Sequence, residues 1–96
     1  MNFIIRLISI INMRDIDVKN AKLFGEKIKE LRDKENNSLN SFVLSKSSIT
    51  TATWSRVENA KTDVKLSTIL KIASTFNITV DELLQNIDFD YNFNED

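Results

Sequence analysis

The chain has 96 residues, a net charge of −1 at pH 7, one Gly, and no Pro, Cys or His. This length predicts a single domain. The missing Cys and His exclude disulfides, thiolate chemistry, histidine catalysis and the usual structural zinc sites. Tight β-hairpin turns favour Gly, Asn-Gly and Pro, so the near absence of Gly and Pro favours helices joined by short polar connections.

Basic residues outnumber acidic ones over residues 14–61, whereas acidic residues predominate over residues 62–96. Only the first part is therefore suited to meet phosphates.

Residues 1–13, MNFIIRLISIINM, form an apolar segment that Arg6 interrupts. The segment is too short to span a bilayer, and it lacks the basic start and small-residue cleavage site of a signal peptide. The spacing of its polar residues indicates a helix, whereas its β-branched content favours a strand. Three interpretations stay open. The segment is an extra helix packed on the domain, a dimer contact, or a stretch outside the natural product, since Met13 can also serve as the start.

Hydrophobic periodicity predicts three helices in the first part of the chain. The first runs from residue 18 or 20 to residue 34. The second is short, begins after the N-cap Asn40 and ends near residue 45. The third follows the N-cap Thr50 and covers residues 51–59. The apolar residues expected to face inward from the first and third helices are Ala21, Phe24, Ile28, Leu31, Trp54 and Val57.

Two further helices are predicted in the second part. The fourth covers residues 66–76, and the fifth begins at a capping box formed by Thr79 and Glu82 and is expected to bury Leu83, Leu84 and Ile87. From Asp88 onward the chain is acidic, and we expect this tail to fray. The residues expected to form the buried stripe of the fourth helix are Leu66, Ile69, Leu70, Ala73 and Phe76.

The stretch over residues 40–59 is the most informative about function. A short helix, a polar turn and a second short helix at a steep angle let the second helix project from the body. A projecting helix fits the major groove of B-DNA, and its N-terminus favours a backbone phosphate. The outward residues of the third helix carry no acid that would repel phosphate; they are Thr51, Ala52, Thr53, Ser55 and Arg56.

Four segments carry a resemblance to a known family, in the order and spacing that the family has. They are residues 24–32 (FGEKIKELR), 55–61 (SRVENAK), 66–73 (LSTILKIA) and 78–84 (ITVDELL). These segments resemble the Cro/repressor-like (XRE-like) helix-turn-helix family over about two-thirds of the chain. The resemblance implies an all-α, five-helix, lambda-repressor-like domain that binds DNA through the third helix, preceded here by an apolar N-terminal extension.

The turn between the second and third helices is one residue shorter than in the commonest pattern of that family. With Glu58-Asn59, the chain is similar to the N-terminal domain of the Rgg-type regulators of Gram-positive bacteria. Those regulators normally continue into a long peptide-binding domain that this sequence does not contain, so peptide sensing is not expected.

Three positions depart from the family pattern: Ser41 stands where Gln is usual, Ser45 where a small Ala is usual, and Ala60 where Gly is usual. An Ala at positive φ costs about 1 kcal/mol. We therefore expect the third helix to run on a little before it turns.

Candidate roles follow for individual residues. Arg56 is the first candidate for a contact with a phosphate or a guanine edge. Trp54 is expected in the core rather than in base stacking, because it stands where the family has an aliphatic core residue. The resemblance implies an ion pair between Arg32 and Glu58 that fixes the angle between the first and third helices. The predicted DNA-binding residues are Asn40, Ser41, Thr50, Thr51, Ala52, Thr53, Ser55, Arg56 and Lys61.

The sequence therefore predicts an N-terminal extension over residues 1–16, a helix-turn-helix domain over residues 17–88 and an acidic tail over residues 89–96. The expected function is that of a cytoplasmic, sequence-specific transcriptional regulator whose partner is double-stranded DNA. One domain of this size reads too few base pairs to be selective, so we expect a homodimer on an inverted repeat. Either residues 1–13 or the fifth helix and tail would supply the dimer contact.

No catalytic residue, metal site, cofactor, small-molecule substrate or membrane partner is predicted, because the carboxylates are scattered and no Gly-rich loop is present. The competing interpretation is a protein-interaction module on the same fold, such as an antitoxin or a phage anti-repressor type of adaptor. The apolar segment and the near-zero net charge favour that alternative, and the lack of acid on the third helix opposes it.

Overall fold

The computed structural model describes residues 13–35, 42–43 and 48–94. Within these ranges the chain forms four helices and no strand: α1 (Asp15–Asp33), α2 (Thr51–Glu58), α3 (Leu66–Thr75) and α4 (Val80–Leu84). The all-α class is confirmed, with four helices bounded in this part of the chain and not the expected five.

The second predicted helix, near residues 40–45, lies mostly outside the described residues. Only Phe42 and Val43 of that segment are described; both are helical and buried. The apolar segment over residues 1–12 also lies outside. In the part of the chain that is described, no helix is long and apolar enough to cross a membrane.

Helix α1 begins at Asp15, earlier than the residue 18 or 20 that periodicity predicted. Asp15 and Asp17 lie in its first turn, where negative charge is favoured by the positive end of the helix dipole. Ile16 is buried and extends the apolar face by one turn. The Nε of Arg14, the residue before the helix, donates to Asp17 Oδ2 at 3.2 Å. The earlier start therefore has both an electrostatic and a packing cause.

Gly25 sets the distance between α1 and α2. A Cβ atom at this position would lie 2.6 Å from the carbonyl oxygen of Val57 and 2.7 Å from that of Glu58. Both atoms belong to the backbone and cannot rotate away. The only glycine of the chain is thus required by close helix–helix contact rather than by a turn.

Aromatic rings fill the centre of the domain. Phe42 lies 5.2 Å from Trp54 and 5.3 Å from Phe76, measured between ring centroids. Trp54 is fully buried, which confirms the prediction that it belongs to the core. Such aromatic contacts stabilise beyond their buried area. The buried cluster contains Phe24, Ile28, Phe42, Val43, Ile49, Trp54, Val57, Ile72, Ala73 and Leu83.

The buried face of α3 differs from the predicted stripe. Ile72, which was not assigned to the stripe, is completely buried. The prediction that Leu66 and Leu70 are buried is wrong, because they are 69% and 51% exposed. Ile69 and Phe76 pack against the core as expected. The predicted stripe through Leu66 and Leu70 and the observed face through Ile69 and Ile72 both have helical spacing. Periodicity alone therefore could not decide which side of α3 faces the core.

Helix α4 begins at the capping box that the sequence predicted. The Thr79 side chain accepts from the Glu82 amide at 3.1 Å, and Glu82 Oε1 accepts from the Thr79 amide at 3.0 Å. The helix ends at Leu84, because Gln85 has extended backbone angles.

The acidic tail does not fray over residues 88–94, so this prediction is wrong. The Asn20 side-chain amide donates to the carbonyl oxygen of Asp90 at 2.9 Å, and its oxygen accepts from the Asp90 amide at 2.8 Å. Lys19 Nζ lies 3.1 Å from Asp90 Oδ2. Phe89 packs against the core, and the Arg14 guanidinium lies 5.6 Å from the Phe93 ring centroid. The tail is held because the side-chain amide of Asn20 in α1 pairs with both the N–H and the carbonyl of Asp90.

Candidate nucleic-acid interface

Helix α2 starts at a side-chain cap. Thr50 has extended backbone angles, and its hydroxyl accepts from the Thr53 amide at 3.2 Å. The same hydroxyl donates to Thr53 Oγ1 at 3.0 Å. The first turn contains no acidic residue. The positive end of the helix dipole is therefore not neutralised by the helix itself, which favours an anion at this end.

The outward face of α2 has a line of exposed residues along it. Ala52 and Arg56 are exposed and lie one turn apart, and the exposed Asn59 follows at the end of the helix. The predicted outward residues Thr51 and Thr53 are half-buried, as is Ser55. Asn59 was missed because it was assigned only to the helix end. Its spacing of three residues from Arg56 could have placed it on the same face.

A buried hydrogen-bond network holds the inner face of α2 against α1. Arg32 Nε donates to Glu58 Oε2 at 2.7 Å, and Arg32 Nη2 donates to Glu58 Oε1 at 3.0 Å. The Trp54 indole also donates to Glu58 Oε2, at 2.7 Å. The structure thus brings together the two residues expected to pair and adds Trp54 to them. A fixed carboxylate with three donors defines how α2 is rotated about its axis.

The guanidinium of Arg32 is buried, with only 10% of its side chain exposed. Its hydrogen bond to Glu58 raises the pKa of Arg32, with the charge of that carboxylate acting in the same direction and burial opposing it. The cation therefore persists throughout the pH range in which proteins fold.

Helix α2 ends in a left-handed residue. Ala60 has φ 55°, its amide donates to the Val57 carbonyl at 3.2 Å, and the Lys61 amide donates to the Arg56 carbonyl at 2.8 Å. These two bonds define a Schellman motif. The expectation that the helix would run on past this point is wrong. The two terminal hydrogen bonds offset the strain of an alanine at positive φ, and Lys61 is left exposed.

Two grooves flank α2. Among the described residues, the groove towards α3 is lined mainly by polar side chains and contains the cations Arg56, Lys65 and Lys71, with Asp63 as the one acid. Lys65 and Lys71 were not among the predicted residues. Lys65 immediately precedes α3 and Lys71 is exposed on it, and no spacing in the sequence marks these two lysines as neighbours of α2.

The groove towards α1 contains Lys22, Lys29 and Lys61, together with Glu26 and Glu58. Glu58 is occupied by its three donors, so the lysines dominate the charge that this groove presents. Lysines therefore lie on both sides of the outward face of α2, as a helix inserted between two phosphate backbones requires.

The remaining predicted contacts, Asn40 and Ser41, lie outside the described residues. In the described ranges, no group of three or more acidic side chains is arranged to hold a metal ion.

Residues 27–88, more than half of the chain, match the family model of the Cro/C1-type HTH DNA-binding domain. No curated protein and no solved structure matches the chain. The matched range contains α2, α3, α4 and both partners of the Arg32–Glu58 pair.

Proposed function

The chain belongs to the Cro/C1-type helix-turn-helix DNA-binding domain family, and from this we propose that it is a sequence-specific transcriptional regulator of the cytoplasm that binds double-stranded DNA as a homodimer. Helix α2 is the element that enters the major groove. The observation that carries this proposal is the acid-free line of Ala52, Arg56 and Asn59, which is exposed along α2 between two grooves lined by lysines.

Base contacts are assigned to the outward face. Arg56 is the residue best suited to a guanine edge, because its guanidinium can donate two parallel hydrogen bonds to O6 and N7. Ala52 offers a small apolar surface to a thymine methyl group. Asn59 donates its side-chain amide to the Ser55 carbonyl at 2.8 Å, so its side-chain oxygen is the group that we assign as an acceptor from a base. The half-buried Thr51 and Thr53 hydroxyls lie at the edges of this face.

Phosphate contacts are assigned to the residues around α2. Thr50 lies at the capped N-terminus of the helix, where a backbone phosphate is favoured. Lys65 and Lys71 on one side and Lys61 on the other would meet the two strands that border the major groove, which is about 12 Å wide. These contacts position the helix and carry no sequence information.

The second candidate function is the protein-interaction module. The observation that favours it is the pair of exposed leucines, Leu66 and Leu70, which DNA binding through α2 does not use. Salt separates the two functions, because phosphate contacts release counterions and make DNA binding fall steeply as the salt concentration rises.

The test starts with duplexes selected from a random pool by the native protein, followed by fluorescence anisotropy across a salt series. We expect Arg56→Ala to weaken binding by about 1–3 kcal/mol and to relax the preference at one base pair. Lys71→Ala should weaken binding to all sequences alike and reduce the salt slope by about one. Lys27→Ala is the matched control, since Lys27 donates to the Gln85 carbonyl on another side of α1 and lines neither groove.

Failure of the native protein to bind any duplex at low salt would contradict the regulator function. Binding that survives competitor DNA in Arg56→Ala with its full sequence preference would contradict the role given to α2.

A further inference from the structure

A further groove, which we call the tail groove, lies between α1, the start of α3 and the docked tail. Its lining is mostly apolar and includes Phe24, Val64, Ile69, Phe89, Tyr91 and Phe93. Two of its rings are open to solvent, since Tyr91 is 78% exposed and Phe93 is 40% exposed. Exposed apolar patches with a polar rim mark interaction sites. The volume of the groove, about 300 Å³, is at the lower end for small-molecule pockets, so a peptide segment laid across it is the better match.

The charged residues of the tail groove are all acidic. Among the described residues, Asp17, Asp63 and Asp90 line it and no basic residue does. Arg14 pairs with Asp17 at 3.2 Å and Lys19 pairs with Asp90 at 3.1 Å, both from outside the lining. Asp63 is exposed and forms no ion pair with any described residue. The groove therefore matches an occupant that is apolar and carries one cation.

The chain itself contains a segment with these properties. Residues 1–12, MNFIIRLISIIN, lie outside the described residues, and their sequence is apolar apart from Asn2, Arg6, Ser9 and Asn12. Arg6 is their one charged side chain. Because the polar residues recur at helical spacing, a helix over this segment has one broad apolar face that must be buried.

The point at which this segment joins the domain lies beside the tail groove. Arg14 has extended backbone angles, φ −70° and ψ 160°, so α1 does not continue into the segment. Arg14 also contacts two residues of the groove: its Nε lies 3.2 Å from Asp17 Oδ2, and its guanidinium lies 5.6 Å from the Phe93 ring centroid. Two helices joined by a short connection fold back as antiparallel neighbours. Twelve helical residues are about 18 Å long, whereas the groove extends only about 10 Å along α1, from Asp17 to Phe24.

We propose that residues 1–12 fold back along α1 and cover the tail groove of their own chain, with their apolar face against the exposed rings and Arg6 at the acidic rim. In an antiparallel arrangement that turns at residues 13–14, Arg6 lies level with Ala21. It is then beside Asn20, whose side chain holds the backbone of Asp90. A segment tethered at the edge of its groove has a high effective concentration there, so a modest contact area is sufficient.

Charge decides between the tail groove and the other groove within reach of the segment. Met13 lines the groove between α1 and α2. The cations of that groove are Lys22, Lys29 and Lys61, so Arg6 would meet like charge there. The segment would also displace the phosphates assigned to these lysines. In the tail groove Arg6 meets opposite charge, and the lysines stay open to DNA.

Spin labelling of the full chain tests the proposal. The chain contains no Cys, so Ser9→Cys carries a nitroxide at a single site, on the polar face of the segment and away from the proposed contact. The nitroxide broadens the NMR signals of amides near it, and the reduced label gives the reference spectrum. We expect the amides of Tyr91 and Phe93 to broaden much more than those of Lys29 and Lys61, which line the other groove.

Two further samples test the charge and the occupant. Arg6→Glu with the same label should reduce the broadening at Tyr91 and Phe93 by about twofold or more, because a carboxylate then faces the acidic rim. Arg6→Lys is the matched control and should keep the broadening. A mixture of isotope-labelled chain without nitroxide and nitroxide-labelled chain without isotope detects contacts between two copies, and we expect no broadening in it.

The proposal would be overturned by equal or stronger broadening at Lys29 and Lys61, by the absence of broadening at Tyr91 and Phe93, or by an Arg6→Glu protein that broadens both as strongly as Arg6→Lys does. Broadening of Tyr91 and Phe93 in the mixed sample would overturn it in favour of a second copy as the occupant. No step of the test uses DNA, so its result is independent of the regulator function.

Discussion

Replacement of Gly25 by Ala should destabilise the domain, although helix propensity alone predicts the opposite. In the interior of an exposed helix, Ala is more favourable than Gly by about 1 kcal/mol. At this position the new Cβ would lie 2.6 Å from the Val57 carbonyl oxygen, whereas ordinary contact begins at 3.4 Å. Helices α1 and α2 would have to separate by roughly 0.8 Å, the difference between those two distances.

That separation has two costs. Overpacking of this kind usually costs about 1–3 kcal/mol. The other clashing carbonyl belongs to Glu58, so the short bonds from Arg32 and Trp54 to the Glu58 carboxylate would lengthen at the same time. After the propensity gain of about 1 kcal/mol is subtracted, overpacking alone leaves a net loss of about 0–2 kcal/mol in the free energy of unfolding, and the weakened bonds to Glu58 add to this loss. Each kcal/mol lost lowers Tm by roughly 4–8 °C for a domain of this size.

Urea denaturation followed by the fluorescence of Trp54, the only tryptophan, measures this loss. The difference in helix propensity between Ala and Gly is measured separately in the same helix by comparing the stability of Lys29→Ala with that of Lys29→Gly. Lys29 is suitable because it is exposed. The argument that backbone contact requires glycine would be refuted if Gly25→Ala were as stable as the native chain while Lys29→Ala was more stable than Lys29→Gly by the usual amount.

Three further predictions follow from other features. Ala60→Gly should raise the free energy of unfolding by about 1 kcal/mol in the same denaturation assay, since Ala60 has φ 55°; an unchanged value would contradict the strain assigned to it. Trp54→Phe keeps one aromatic ring in the core but removes the indole N–H that donates to Glu58 and leaves a small cavity, so a loss of at least about 1–3 kcal/mol is expected in thermal unfolding, and a neutral result would contradict a stabilising role for the bond. The hydrogen bond from the Asn92 amide and the contact with Lys19 lower the pKa of Asp90. A lowered pKa means that the Asp90 carboxylate stabilises tail docking above the ordinary carboxyl value of about 3.9, and this one contribution is lost as pH falls through the lowered pKa; the NMR shift of the Asn92 amide should report this loss, and an Asp90→Asn protein should not show it.

Much of the fold could be predicted from the sequence because local signals agree with it. The spacing of Phe24 and Ile28 marked α1, and the Thr79–Glu82 capping box marked the start of α4. The contact between Arg32 and Glu58 was expected only from the family resemblance, since no local pattern pairs residues 26 positions apart.

The remainder depends on contacts between distant segments, which local patterns do not specify. The rotation of α3 is decided by packing of Ile72 in the core, and a competing stripe through Leu66 and Leu70 has the same period. The docked tail depends on the match between the Asn20 amide and the backbone of Asp90, which a count of acidic residues cannot reveal. Ala60 adopts a conformation that its residue type disfavours, and only the paired terminal hydrogen bonds explain it.

The network that ends on Glu58 separates the two faces of α2. Trp54, Glu58 and Arg32 fix the rotation of the helix from the inside, while Ala52, Arg56 and Asn59 lie outside that network and contribute nothing to the core. Ala52 and Arg56 can therefore be exchanged to retarget the domain to a new operator while the free energy of folding changes little. Trp54, Glu58 and Arg32 hold α2 in one orientation, so the residues that contact bases can vary without a change in how the helix is placed.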